Sequence, residues 1–233
     1  MDISFSATLP ETGLLIVPVK KDQLDGVALG AVDSRTDGAV MRAARVADFT
    51  GKAGEALTIP APQGLGEAVV VLLGLGEGKD HQATDATGLG GKAAAQAIGK
   101  YSSAALLIDG VEIAEVKGEA LAVAAATGAM LRNYDFALYR KKTASKDKKE
   151  LKSFTIVGDG LDDATTAFEP EKAVAEGVFF ARDLVSEPPN VLHPESYAER
   201  CKELEALGVE VKILDEDQMQ ALGMNTLLGV GQG

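Results

Sequence analysis

Six apolar residues in a row, Ala68-Val69-Val70-Val71-Leu72-Leu73, show no alternation with polar ones. A strand with one face in water alternates, so an unbroken run rich in β-branched residues belongs to a strand covered on both faces by helices. Such a strand is stable only inside a layered α/β architecture with a parallel or mixed sheet. Residues 13–19, 103–108 and 153–158 are similar short runs of Val, Ile and Leu that end in Gly, Asp or a charged turn, and they read as further strands. Residues 209–214 differ: Val209, Val211 and Ile213 alternate with Glu210 and Lys212, the pattern of a half-exposed strand.

Helical spacing appears between these runs. Ile113, Val116, Ala120, Val123 and Leu131 recur mostly at three- and four-residue steps, with Glu112 and Glu115 ahead and Arg132 behind. The spacing predicts a helix over 111–133, its charges complementing the helix dipole. A second helix is expected from Pro170, whose fixed φ suits a first helical position, with Val174, Val178, Ala181 and Val185 on one stripe. It must stop before Pro188-Pro189. A third is expected from Pro194 to Gly208 with Tyr197, Cys201 and Leu204 inward, followed by a short helical piece at 219–222.

The stretch Gly158-Asp159-Gly160-Leu161-Asp162-Asp163 is the expected domain boundary. Residues 1–163 hold enough strands and helices for a complete α/β domain, and about 160 residues can bury a stable core. Residues 164–233 offer one strand and two helices, too little to cover Val209, Val211, Ile213, Leu227, Leu228 and Val230. Here the expectation is an incomplete second domain.

Charge separates the two parts further. Residues 1–150 carry 17 Lys/Arg against 19 Asp/Glu and residues 151–233 carry 6 against 16, so the formal charge of −12 divides into −2 and −10. An acidic surface repels phosphate backbones, which makes nucleic acid an unlikely principal partner. Arg140, Lys141, Lys142, Lys146, Lys148 and Lys149 form a local exception, read as a solvated hairpin loop because no aromatic residue among them could stack on a base. No apolar run reaches the ~20 residues of a membrane helix, and Met1-Asp2-Ile3-Ser4 lacks the regions of a secretory signal. With one cysteine, Cys201, no internal disulfide is possible; a cytoplasmic protein is expected.

Tests for a chemical site return nothing assignable. Gly91-Lys92 is followed by Ala93 where a phosphate loop needs Ser or Thr, and position 86 is Ala instead of Gly. Gly74-Leu75-Gly76-Glu77-Gly78-Lys79 follows a strand but has Lys79 where a dinucleotide fingerprint needs Gly; it reads as a strand-ending turn. The only histidines are His81, expected on the surface of a polar turn, and His193, expected to cap or lie exposed before Pro194. Cys201 reads as a small inward residue of the third helix rather than a nucleophile. No serine sits in a Gly-x-Ser-x-Gly elbow.

The stretch Ala181-Arg182-Asp183-Leu184-Val185-Ser186-Glu187-Pro188-Pro189-Asn190-Val191-Leu192-His193-Pro194 resembles the signature that opens the catalytic domain of the leucyl aminopeptidase (cytosol aminopeptidase) family. Residues 209–216, Leu222-Gly223-Met224 and 227–233 are similar to the segments that follow it. Val71-Leu72-Leu73-Gly74-Leu75-Gly76 and Tyr134-Asp135-Phe136-Ala137-Leu138-Tyr139 resemble weaker landmarks of the family's amino-terminal domain. The resemblance implies a macro-domain-like amino-terminal domain, 1–163, joined by a linker helix to the beginning of a catalytic domain, 164–233. It further implies a cytoplasmic homo-hexameric exopeptidase acting on peptides through two divalent metal ions, Mn or Zn, which polarise the scissile carbonyl and activate water near neutral pH.

The family's ligand-bearing segments, Lys-Gly-x-Thr-Phe-Asp-Ser-Gly-Gly and Asn-Thr-Asp-Ala-Glu-Gly-Arg, are not in this sequence. Asn225-Thr226 is a chance echo, since Leu227-Leu228 stand where Asp-Ala is required, and His193 stands where the family often has Thr. No catalytic, cofactor-binding or metal-ligating residue, and no bound metal, is therefore expected in this chain, which should be inactive alone. The competing reading is a binding module for a nucleotide, ADP-ribose or nucleic acid, against which the acidic charge and the missing phosphate-loop spacing both count.

Overall fold

A computed structural model describes residues 1–79, 81–140 and 149–232. The chain divides into two compact units, Met1–Phe180 and Ala181–Gly233.

The first unit is built on a six-stranded sheet in the order β1-β8-β5-β2-β4-β3. Its strands are β1 (Asp2–Ser6), β2 (Leu14–Lys20), β3 (Ala56–Ile59), β4 (Val69–Gly76), β5 (Ser103–Leu107) and β8 (Ser153–Val157). All neighbours run parallel except β3, which lies antiparallel against β4 at one edge. The expected runs at 13–19, 68–73, 103–108 and 153–158 lie in β2, β4, β5 and β8, and the nearly unbroken apolar character of β2 and β4 has the expected cause. Leu14 and Ile16 of β2, with Val71 and Leu73 of β4, face one helix layer; Leu15, Val17 and Val19, with Val70 and Leu72, face the other. Every one of these side chains is buried.

The first layer contains α3 (Thr84–Ala97), α4 (Gly118–Arg132) and the start of α5 (Ala164–Ser186); the second contains α1 (Val27–Arg35) and α2 (Ala39–Val46). β1, β3, α1, α2 and α3 were not expected from the sequence. In α3 the reason is composition, because its buried face is mostly alanine and glycine, as in Ala86, Gly90, Ala93, Ala94 and Ala97. Alanine favours helix but contributes a weak apolar signal.

Several expectations need correction. The helix expected over 111–133 begins only at Gly118, because β6 (Glu112–Ile113) and β7 (Val116–Lys117) pair as a hairpin across Ala114 and Glu115, both at positive φ. Ile113 and Val116 stand opposite each other in that hairpin, so a cross-strand pair imitates a helical three-residue step. The second helix, α5, starts at Ala164 and takes Pro170 into its interior. The carbonyl that Pro170 cannot serve belongs to Thr166, and both residues are exposed, so water can satisfy it. The buried side of α5 is Ala164, Phe168, Ala175 and Leu184, whereas Val174 and Val185 of the expected stripe are 61% and 88% exposed. Phe168 meets Phe5 edge-on at 5.9 Å, and Phe179 stacks on Tyr134 at 5.4 Å.

The second unit contains the end of α5, α6 (Pro194–Cys201), a 3-10 turn (Lys202–Leu207), α7 (Glu216–Ala221) and α8 (Asn225–Gly231). The expected start at Pro194 and stop at Gly208 hold, with Gly208 at φ 82° closing the 3-10 turn. Residues 209–214 form no strand, contrary to expectation; a strand needs a neighbour, and the described residues of this unit contain none. Val209, Ile213, Leu222, Leu227 and Val230 are exposed. Tyr197 is also exposed, while Cys201 and Leu204 are half-buried instead of being core residues.

Within the first unit α3 and α4 meet backbone to backbone. A Cβ at Gly90 would fall 1.7 Å from the Ala125 carbonyl oxygen, and one at Gly128 would fall 1.8 Å from that of Thr87. Gly90→Ala and Gly128→Ala are each expected to destabilise by about 1–3 kcal/mol through overpacking, read as a lower urea midpoint. Gly30→Ala in α1, where nothing lies within 4 Å, should instead stabilise by up to about 1 kcal/mol. Limited proteolysis should leave a product ending near Phe180, because Ala164, Phe168 and Ala175 are buried. A product ending at 158–163 by mass spectrometry would show that α5 does not stay docked.

Candidate functional site

In a parallel sheet with helices on both faces, ligand crevices open beyond the carboxyl ends of strands where the winding direction reverses. Here the reversal lies between β2 and β5, since the chain leaves β2 toward β4 on one side and returns to β5 on the other. The β2 to β5 ladder covers Leu14 to Ile16 only. Pro18, two residues on, has no N–H to donate toward a neighbouring strand.

Beyond Ile16 a cavity of about 60 Å³ is lined by Pro18, Val19, Lys20, Gln23, Val27 and Asp109, among others. Gly110 (φ 68°) borders it so closely that a Cβ there would fall 2.6 Å from the Val27 Cβ. A larger depression of about 320 Å³ lies next to it, over the carboxyl ends of β5 and β8. Asp109, Glu112, Lys117 and Asp159 line it. Asp109 Oδ1 accepts the Asp159 N–H at 2.8 Å, tying the loops after β5 and β8 together. Lys117 pairs with Glu112 at 3.8 Å across the hairpin.

Charges at the neighbouring strand ends are also paired. Lys21, just past β2, donates to Glu77, just past β4, at 2.6 Å, and Lys79 lies 3.5 Å from the same carboxylate. The Lys21 ammonium holds the Glu77 carboxyl below its ordinary range, and Glu77 raises Lys21 in return. For Glu55, burial pushes the carboxyl up, but the Thr50 N–H, the Lys52 N–H, the Thr50 hydroxyl and the Gly51 N–H outweigh it and hold the group low. Those bonds fix the 50–55 loop beside β2.

The residues singled out from the sequence are not brought together. Gly74 to Lys79 makes the expected strand-ending turn, with Gly76 and Gly78 both at φ 77°. His81 is half-buried, not on the open surface, because its Nε2 lies 3.2 Å from the Leu75 carbonyl oxygen. Gly91 and Lys92 lie inside α3, far from a loop that could cradle phosphate. His193 is exposed ahead of α6; its N–H donates to Ser196 Oγ at 2.9 Å. Of the basic segment 140–149, Arg140 pairs with Asp135 and Lys149 bridges Gly99, while the hairpin expected across 141–148 lies outside the described residues. Among the described residues no three His, Cys, Asp or Glu side chains gather as a metal site, and no helix is long and apolar enough to cross a membrane.

Comparison with known proteins adds what the geometry does not carry. The model of the cytosol aminopeptidase family, N-terminal domain, matches residues 16–143, and that of the family's catalytic domain matches residues 179–233. A probable cytosol aminopeptidase of Rhizobium leguminosarum bv. trifolii is 42% identical over all of this chain and 46% of its own length. One of Methylorubrum populi is 46% identical over 83% of this chain and 38% of its own length. The chain thus spans about half the length of the curated relatives it matches. A tomato leucine aminopeptidase variant superposes with TM-score 0.76 at 26% identity, over 96% of this chain and 46% of that one. The bottromycin maturation enzyme BotP in complex with Mn gives TM-score 0.63 at 22% identity, over 90% of this chain and 40% of its own, a likeness of fold alone. These relatives do not favour the binding-module reading.

The Lys21–Glu77 pair predicts a pH dependence. A carboxylate with a lowered folded pKa stabilises fully above its unfolded value, ~4.3, and that contribution is lost as pH falls through the lower folded value. Glu77→Gln should therefore lose less stability than the parent protein between about pH 5 and pH 3. Equal acid slopes in urea titrations would show that the pair contributes nothing.

Proposed function

The chain belongs to the cytosol aminopeptidase family, and on that premise we propose that it serves a leucyl aminopeptidase releasing amino-terminal residues from peptides. In this reading residues 1–163 are the macro-like amino-terminal domain, and residues 164–233 are the linker helix and the opening of the catalytic domain. The observation that carries it is the catalytic-domain match over 179–233, which takes in Ala181 to Pro194 and is joined in one chain to the amino-terminal match. The working enzyme is a cytoplasmic homo-hexamer.

Chemistry of this class uses a pair of divalent ions, manganese or zinc. The donor set here does not fit such a pair, since among the described residues no three His, Cys, Asp or Glu side chains converge. The reading places the metal ligands and the catalytic groups in the family's two ligand-bearing segments, which are not in this sequence. What these residues supply is scaffold. The sheet and its two helix layers form the core of the first unit, and α5 carries the chain from that core into the signature.

The test uses two purified proteins, the 233-residue chain and a chimera in which it is joined to the remaining part of the Rhizobium leguminosarum relative. Both are assayed with leucine p-nitroanilide and added Mn²⁺. The chimera is expected to hydrolyse the substrate, and the chain alone should stay at the blank rate and bind no Mn²⁺ by calorimetry. Turnover by the chain alone would place the catalytic groups within it. A folded chimera without turnover would overturn the aminopeptidase reading.

A further inference from the structure

We draw no further inference here: the strongest candidate, the groove of about 410 Å³ over α4 between α3 and α5, lined by Ala120, Val123, Ala124 and Thr127 together with Glu119 and Glu171, carries nothing because nothing in the structure shows what covers it.

Discussion

The bare-backbone crossing of α3 and α4 is the constraint on which the first unit depends. Gly90 lies under the Ala125 carbonyl and Gly128 under that of Thr87, with no room at either place for a methyl group. At that separation the two helices form one thin slab, and their alanines reach Leu14, Ile16, Leu106 and Phe154 on the sheet below. A wider crossing would lift one helix off these side chains and open voids, which close-packed interiors tolerate poorly. The opposite face needs no such device, because Leu29, Val32, Val40 and Phe49 fill it with larger side chains.

The sheet also determines where irregularity is tolerated. Pro18 sits in the central strand, normally a poor place for a residue without an N–H. It is accommodated because the ladder toward β5 has already ended at Ile16. The same break lets the loops after β2 and β5 diverge, and the Asp109 bond to the Asp159 N–H then holds the second loop in place. The crevice at the carboxyl edge thus lies beside Pro18, where the ladder has ended at the winding reversal. Of the charges that line it, Lys117 and Glu112 pair with each other, and Asp109 accepts the Asp159 N–H.

The two units differ in how well they satisfy themselves. In Met1–Phe180 nearly every large apolar side chain of the central strands is covered on both sides. In Ala181–Gly233 the described elements are the end of α5 and short helical pieces, of which α7 is capped reciprocally: Asp215 Oδ1 accepts the Gln218 N–H at 2.8 Å and Gln218 Oε1 accepts the Asp215 N–H. Yet Leu207, Leu222, Leu227 and Val230 remain exposed. Local capping determines that helices start and stop there; it does not bury them.

The sequence by itself determined the α/β class, four of the central strands and the places where the chain must turn, because two-sided burial demands unbroken apolar runs and Gly or Pro ends them. It also carried the family resemblance at Ala181 to Pro194, since a contiguous string of residues needs no tertiary information to be recognised. Only the tertiary structure decided the rest. Ile113 and Val116 could be read as one helical face until the left-handed turn at Ala114 and Glu115 made them a hairpin pair. The strand-like alternation of Val209, Val211 and Ile213 came to nothing without a neighbouring strand. The edge strands and the alanine-rich helix α3 were invisible because their stability comes from close approach to a partner, and spacing along the chain carries no measure of that distance. The crevice beside Pro18 was hidden for the same reason: it exists only where two strands, far apart in sequence, run side by side and then part.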